Sequence, residues 1–300
     1  MADPLRGPMG TLIVGIDVGG STTKAVAVEG EVVGFASVQT TDPVAAASGV
    51  LGKVLTEKGR RLRDVQVLAV SGGGARQIGD QLLDLPIVKV DEISAIGVGG
   101  LALTGKSQAL VVSMGTGTAL VAVYEGGRRI LHVGGTGVGG GTLQGLSKAL
   151  LRKESFEALE RMAQAGDPSK VDLTVGDIAG GPVGVVPASA TASNFGKLSD
   201  EADENDIAAA LVNMVGQVIG MVSVFAAKAY RLENDVILVG KLAGSQVVAT
   251  RIMSVAKIFG VNMSVPRNFD YCTAIGAAAK ASPLALNVRK DWSLPGGRLG

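Results

Sequence analysis

Two hydrophobic periods alternate along the chain. Thr11–Asp17 (TLIVGID) is a β-branched apolar run ending on Asp-Val-Gly-Gly, which predicts a buried strand. Lys24–Val28 and Glu31–Ala36 follow with a turn at Gly30, predicting an antiparallel hairpin. From Asp42 to Gly59 the period becomes helical, with Val44, Val50, Leu51, Val54 and Leu55 on one side. Val65–Val70 predicts another buried strand, closed by Ser71-Gly72-Gly73-Gly74. A short helix is expected over Arg76–Leu83, a strand over Ile87–Val90 and a helix over Glu92–Leu103.

The pattern then restarts. Ala109–Ser113 is apolar and ends on Met114-Gly115-Thr116-Gly117-Thr118, Ala119–Tyr124 is the next strand, and Arg129–Val133 returns after Gly126-Gly127. Strand, glycine turn, strand, turn, strand thus occurs twice, at residues 11 and 109, and so weak an internal repeat still bears on the fold. Gly134–Gly141 predicts a glycine loop leading into a helix over Thr142–Leu151, and Ser155–Gly166 an amphipathic helix. Ser193–Phe195 lies in an expected polar loop. A long helix over Asn205–Leu232, a buried strand over Asp235–Gly240, and helices over Gly244–Phe259 and Tyr271–Ala281 complete the pattern. The stretch from Ser282 onward reads as a loosely held tail.

One segment imitates a membrane span. Ile207–Ala227 approaches the ~20 apolar residues that crossing requires. Asn213 and Gln217 interrupt it and Lys228 follows, so a helix buried in protein is the expectation. Met1–Gly10 lacks the apolar core of a signal peptide, which predicts a soluble cytoplasmic protein.

Composition narrows the chemistry. The 300 residues include 44 Gly, about twice ordinary usage, without a collagen period. The net charge is +1, which leaves no electrostatic footprint for nucleic acid or an anionic membrane. One His (His132) and one Cys (Cys272) make neither a tetrahedral zinc site nor a disulfide framework. The glycines therefore belong to a folded protein, and four groups of them follow buried strands: Asp17–Lys24, Ser71–Ala75, Gly115–Thr118 and Gly240. Glycine at a strand end permits positive φ and lets backbone N–H groups approach an anion, phosphate above all. No Walker A loop and no G-x-G-x-x-G after a first strand occurs. Asp17, where a strand exits toward its glycine turn, is placed to hold Mg²⁺ or to cap the turn as an Asx motif. Lys24 is placed to meet a phosphate or to end a strand in solvent.

Together these segments carry a resemblance. Asp17-Val18-Gly19-Gly20-Ser21-Thr22-Thr23-Lys24, Met114-Gly115-Thr116-Gly117-Thr118 and Val239-Gly240 resemble the two phosphate loops and the adenosine loop of the actin/hexokinase/Hsp70 ATPase superfamily. Ser71–Ala75, Val90-Asp91-Glu92, Gly139–Leu146, Met162–Asp167, Ala192–Gly196 and Ala274–Ala277, in that order and spacing, resemble the type II pantothenate kinases from about Ile13 to Ala281. The resemblance implies an α/β fold of two ribonuclease-H-like domains, residues 1–105 and 106–282, with a nucleotide cleft between them and a tail over 283–300. It implies a kinase that phosphorylates the primary hydroxyl of pantothenate with ATP and Mg²⁺, opening coenzyme A synthesis. Glu92, directly after Asp91, is then the general base. A fixed carboxylate at a helix start suits that role, although capping alone also explains such a pair.

The same resemblance implies nucleotide contacts at Gly19, Gly20, Ser21, Thr22, Lys24, Gly115, Thr116, Gly117, Gly139, Gly140, Gly141 and Gly240, and metal binding at Asp17. Acceptor contacts fall at Gly73, Thr116, Ala119, Arg129 and His132. It also implies a homodimer through the long helix and coenzyme A or acyl-CoA as a feedback ligand. Two positions depart from the family. A Ser that contacts pantothenate is Ala119 here, and an Arg that pairs with its carboxylate is His132, with Arg128 or Arg129 nearby. A neutral imidazole poorly replaces a bidentate guanidinium. A carboxylate-free acceptor such as pantetheine, or an ATP- or acyl-CoA-binding sensor without catalysis, are the alternatives. Sugar kinases of the repressor-related type and iron–sulfur activator ATPases would need the Cys and His that are missing.

Overall fold

The structure, a computed structural model, describes residues 10–282; the reading of the first nine residues as lacking a signal peptide and that of the tail beyond Ser282 lie outside them. Strands β1 (Leu12–Val18), β2 (Thr22–Glu29) and β3 (Glu31–Gln39) form an antiparallel meander, followed by helix α1 (Pro43–Glu57). Then come β4 (Val65–Ser71), β5 (Gln81–Leu82), β6 (Leu85–Lys89) and α2 (Glu92–Thr104). The second series has β7 (Ala109–Met114), β8 (Thr118–Tyr124), β9 (Arg129–Thr136), α3 (Gly140–Leu146) and α4 (Phe156–Ala165). It continues with β10 (Leu173–Thr174), α5 (Val175–Ala179), β11 (Thr191–Ser193), α6 (Glu204–Tyr230), β12 (Val236–Val239), α7 (Gln246–Ile258), β13 (Met263–Ser264) and α8 (Cys272–Ala281).

Both large sheets share one order. The first runs β3-β2-β1-β4-β6-β5 and the second β13-β12-β7-β8-β9, so β9-β8-β7-β12-β13 repeats β3-β2-β1-β4-β6. In each, the first strand of the meander pairs in parallel with a strand that arrives later, β1 with β4 and β7 with β12. The repeat read from the glycine turns is therefore a repeat of sheet topology.

By contacts the described residues form two units. One holds the chain up to Ala109, Val123–Leu131 and the residues from Asp270; the other holds Leu110–Ala122 and His132–Phe269. Helix α8, the last of the described elements, thus belongs with the first sheet.

In the first unit, alternation sorts β1. Leu12, Val14, Ile16 and Val18 join Ala47, Val50, Leu51, Val54 and Leu55 of α1 in one buried cluster. Gly15, on the opposite face, admits α8, because a Cβ there would overlap the Ala274 carbonyl. Helices α2 and α8 cross equally closely, since a Cβ at Gly276 would overlap the Ala95 carbonyl.

Several elements differ from the sequence reading. Val44 is 44% exposed, because the first turn of α1 lies at the surface and the buried stripe begins at Ala46. The short helix expected over Arg76–Leu83 is a 3-10 turn over Gly73–Gln77 followed by a β5–β6 hairpin. The hairpin turn uses Leu83 and Asp84, both at positive φ, without the Asn or Gly that ordinarily marks such a turn. Gly134 and Gly135 end strand β9 rather than opening a loop. The helix expected over Thr142–Leu151 starts at Gly140 and closes in a π turn over Ser147–Leu151. Ser193 ends β11 instead of lying in a loop, paired with β10.

Helix α6 is long and apolar enough to cross a membrane, but 67% of its most apolar stretch is buried inside the protein. It packs against α4 and α7, while Met214, Val218, Met221 and Val222 stay half-buried and Phe225 is 62% exposed on its remaining side.

Candidate active site

Alternation along β1 also places the first charged residue. Asp17 shares the face of Gly15, two residues on, and pairs with Lys24 on β2 and with Ser71 at the end of β4. Residues in register point to one side of the sheet, so a carboxylate, an ammonium and a hydroxyl meet where three strands end. Ser71 Oγ is fully buried and has no hydrogen-bond partner. Gly72 follows with φ +92°, and a Cβ there would sit 2.5 Å from Asp17 Oδ1, so only glycine lets the chain turn past this carboxylate.

The cluster is rich in negative charge. Asp17 keeps some surface as a residue, yet its carboxyl is enclosed, and its pKa rises from 3.8 to about 7. Burial is the main cause; Lys24 opposes it, and the Glu92 and Asp270 charges add to it. Lys24 is 7% exposed, and its Nζ donates to Asp270. Asp270 stands in the 3-10 turn Phe269–Tyr271 just before α8. Asp91 caps α2, accepting from Ile93 N at 3.0 Å and Ser94 N at 3.1 Å. This fixes Glu92 as the first helical residue, with Oε2 4.0 Å from where a Gly73 Cβ would stand. Burial, and after it the Asp91 charge, raises the Glu92 carboxyl, which makes it a better proton acceptor. The cap explains Asp91; it leaves the Glu92 carboxylate uncommitted.

In the second unit the loop after β7 and the one leading into α3 carry no charged side chain. Gly115 N donates to Gly117 O, Gly140 N to Gly115 O and Gly141 N to Thr116 O, each at 2.9 Å. Thr118 Oγ1 donates to Val138 O at 2.8 Å. These bonds bind the loop after β7 to the start of α3, and a Cβ at Gly139 would stand 2.7 Å from Thr116 O. The amides of Gly140 and Gly141 thus hold the two loops together, and that of Gly115 closes its own turn. Gly240 repeats the geometry of Gly72: it follows β12, has φ +85° and leads into a 3-10 turn, Lys241–Gly244. Its N–H donates to Phe269 O at 3.0 Å.

The remaining expected residues fall in two groups. Gly19, Gly20 and Ser21 form the turn between β1 and β2, and Thr22 opens β2; the turn is tight enough that a Cβ at Gly19 would stand 2.7 Å from Thr22 O. Of the acceptor-side residues, Ala119 is half-buried on β8, and His132 is exposed on β9. Arg129 is three residues before His132 and so faces the other side of the strand, with its guanidinium over the Tyr124 ring at 5.2 Å. Arg128 pairs with Glu125 at 3.8 Å. A cavity of about 510 Å³ also opens in the second unit, lined by Asn213, Gln217 and Met221 of α6, Arg251 of α7 and Phe259 just after it. None of the glycine-loop residues lines it, so the hollow and the chemistry do not coincide. Two members of the charged cluster, Asp270 and the hydroxyl of Ser71, are ones that sequence reasoning passed over.

Among the described residues no group of three or more Asp, Glu, His or Cys side chains forms a ready metal cage. Asp17 and the unpartnered Ser71 Oγ still fit Mg²⁺, which favours one or two carboxylates completed by water and substrate phosphates.

Comparison with known proteins bears on the family and the fold. The Fumble family model matches residues 108–280, more than half of the chain. A type II pantothenate kinase of Bacillus thuringiensis subsp. konkukian (strain 97-27) is 30% identical over 227 residues, 73% of this chain and 82% of that protein. Among solved structures, the ADPNP-bound activator of the 2-hydroxyisocaproyl-CoA dehydratase from Clostridium difficile aligns with TM-score 0.67 at 17% identity, covering 96% of this chain and all (100%) of that one. A ROK family glucokinase from Streptomyces griseus in complex with glucose and AMPPNP aligns with TM-score 0.55 at 14% identity, over 90% of this chain and 99% of that one. These two likenesses establish the two-domain actin-like ATPase fold, while sequence identity and the family model establish kinship: the chain belongs to the Fumble family, that of the type II pantothenate kinases.

Proposed function

We propose that this protein transfers the γ-phosphoryl group of ATP to the primary hydroxyl of pantothenate, the step that opens coenzyme A biosynthesis. The observation that carries this reading is the 30% identity with a type II pantothenate kinase across 82% of that protein's length. The chemistry follows from the first unit. The hydroxyl oxygen attacks the γ-phosphorus, the bond from that phosphorus to the β–γ bridging oxygen breaks, ADP leaves, and the hydroxyl proton passes to the Glu92 carboxylate. Asp17 and Ser71 would hold Mg²⁺, which when bound offsets the charge of the phosphates. Lys24 adds a cation at the same place, and the glycine turns after β1, β4, β7 and β12 let backbone approach the nucleotide.

A second reading has a specific observation behind it. His132 is exposed and Arg129 is engaged with Tyr124, so a guanidinium for the pantothenate carboxylate is not supplied where the family has one. A carboxylate-free acceptor such as pantetheine fits that change. The exposed Phe225 and the half-buried apolar residues beside it on α6 support a homodimer formed through this helix. The burial of α6 supports a cytoplasmic enzyme, and coenzyme A or its thioesters are the proposed feedback ligands.

A coupled ADP-release assay over pantothenate, pantetheine and glucose tests the reading. Pantothenate should stimulate release most. Stimulation by pantetheine alone would establish the second reading, and stimulation by none of the three would end both.

A further inference from the structure

The ion pair between Lys24 and Asp270 carries an inference beyond the transfer reaction. Lys24 and Asp270 are separated by 246 positions, and no glycine-loop pattern includes the acid. The Lys24 side chain is 9% exposed and that of Asp270 30%. The acid is held in place: Tyr271, its neighbour, packs its ring on Phe35 of β3 at 4.6 Å between centroids. Phe35 pairs with Val26 on β2, the strand that carries Lys24. Among Asp17, Glu92, Asp270 and Lys24 there are three acids and one cation.

A buried ammonium must have a partner, because an unpaired charge out of water is costly. Here the partner is an acid of the chain itself. A triphosphate arriving at the turn after β1 competes with that acid for the ammonium. We propose that Asp270 is a positioning residue that sets nucleotide affinity: it holds Lys24 in the nucleotide-free protein and yields it, wholly or in part, to the phosphates of ATP. This rests on Lys24 facing the phosphates, as in the proposed kinase function.

The direction of the effect separates this role from a purely structural one. Removing the acid leaves Lys24 buried without the carboxylate it donates to, so the free protein should melt lower. The phosphates would then supply the missing partner, so nucleotide should bind more tightly. A structural brace, once removed, would lower both melting temperature and affinity.

The test is calorimetric titration of the full chain with the Mg²⁺ complex of a non-hydrolysable ATP analogue. Asp270→Asn should tighten binding about tenfold while Asp270→Glu keeps the parent affinity. In a Lys24→Met background, Asp270→Asn should change affinity less than about twofold, since the ammonium it released is gone. Unchanged or weaker binding by Asp270→Asn overturns the proposal. So does an equal gain in the Lys24→Met background, which would mean plain repulsion between Asp270 and the phosphates. Asp270→Ser makes the same comparison if the Asn variant does not fold. Failure of the parent itself to bind nucleotide would overturn the kinase reading as well; a parent that binds, with no tightening in the variant, overturns only the role of Asp270.

Discussion

The two sheets share one topology but differ in chemistry. Asp17 on β1 pairs with Ser71, which precedes the positive-φ Gly72; Ser113 on β7 pairs with Val239, which precedes the positive-φ Gly240. The same strand ends thus present a carboxylate in one half and a hydroxyl in the other. Around Asp17 stand Lys24, Glu92 and Asp270. The corresponding loops of the second half are joined by backbone and threonine hydrogen bonds, Gly140 and Gly141 to the Gly115–Thr116 turn and Thr118 to Val138. A duplicated fold supplies two equivalent turns. Carboxylates stand at only one of them, which under the proposed function leaves metal and proton handling to the first half and shape to the second.

The largest expected effect lies in the charged half. Glu92→Gln should lower kcat by about 10²- to 10⁴-fold while the affinity for ATP stays near that of the parent. A variant with parent kcat would remove Glu92 as base and leave the two halves without this division of labour. In the neutral half the loss should fall on binding. Gly139→Ala presses a methyl on Thr116 O, 2.7 Å away, and should weaken ATP binding by about 10²-fold through misplacement of the loops. If Gly139→Ala instead lowered kcat at saturating ATP with affinity intact, the second half would share in the chemical step.

A gain of function sharpens the acceptor side. His132→Arg should raise kcat/KM for pantothenate about tenfold, the value of a charge-assisted hydrogen bond, and leave pantetheine unaffected. Equal gains on both substrates would show that the guanidinium does not read the carboxylate.

The smallest effect concerns pH. Asp17 has a pKa of about 7 in the folded chain against an ordinary 3.8, so folding favours its neutral form. Its contribution to stability is full below pH 3.8 and is lost as pH rises through 7. Asp17→Asn, which cannot ionise, should therefore melt a few degrees above the parent at pH 8 without nucleotide or metal, with the difference closing toward pH 4. Thermal melts across that range check it. A parent more stable than the variant at pH 8 would mean that Lys24 outweighs burial. Ser113→Ala, at the matching place in the neutral half, should show no such pH dependence.

Sequence patterns and structure part company at definable places. The strands, most helices and the glycine turns were legible because period and turn chemistry are local. The β5–β6 hairpin was not, since Leu83 and Asp84 adopt positive φ without the residues that normally signal it. Asp270 was not legible either, because nothing near it in the chain marks it, and its partner lies 246 residues away.

By itself, then, the sequence determined the repeat, the four glycine turns, the Asp91–Glu92 helix start and the family. Each is written in residues that are neighbours along the chain. Only the tertiary structure decided that α8 returns to the first sheet, that Gly15 and Gly276 are the points at which helices approach closely, and that Lys24 is paired with Asp270. Those facts depend on which segments meet in space. Sheet order and helix packing fix that, and backbone periodicity carries no record of it.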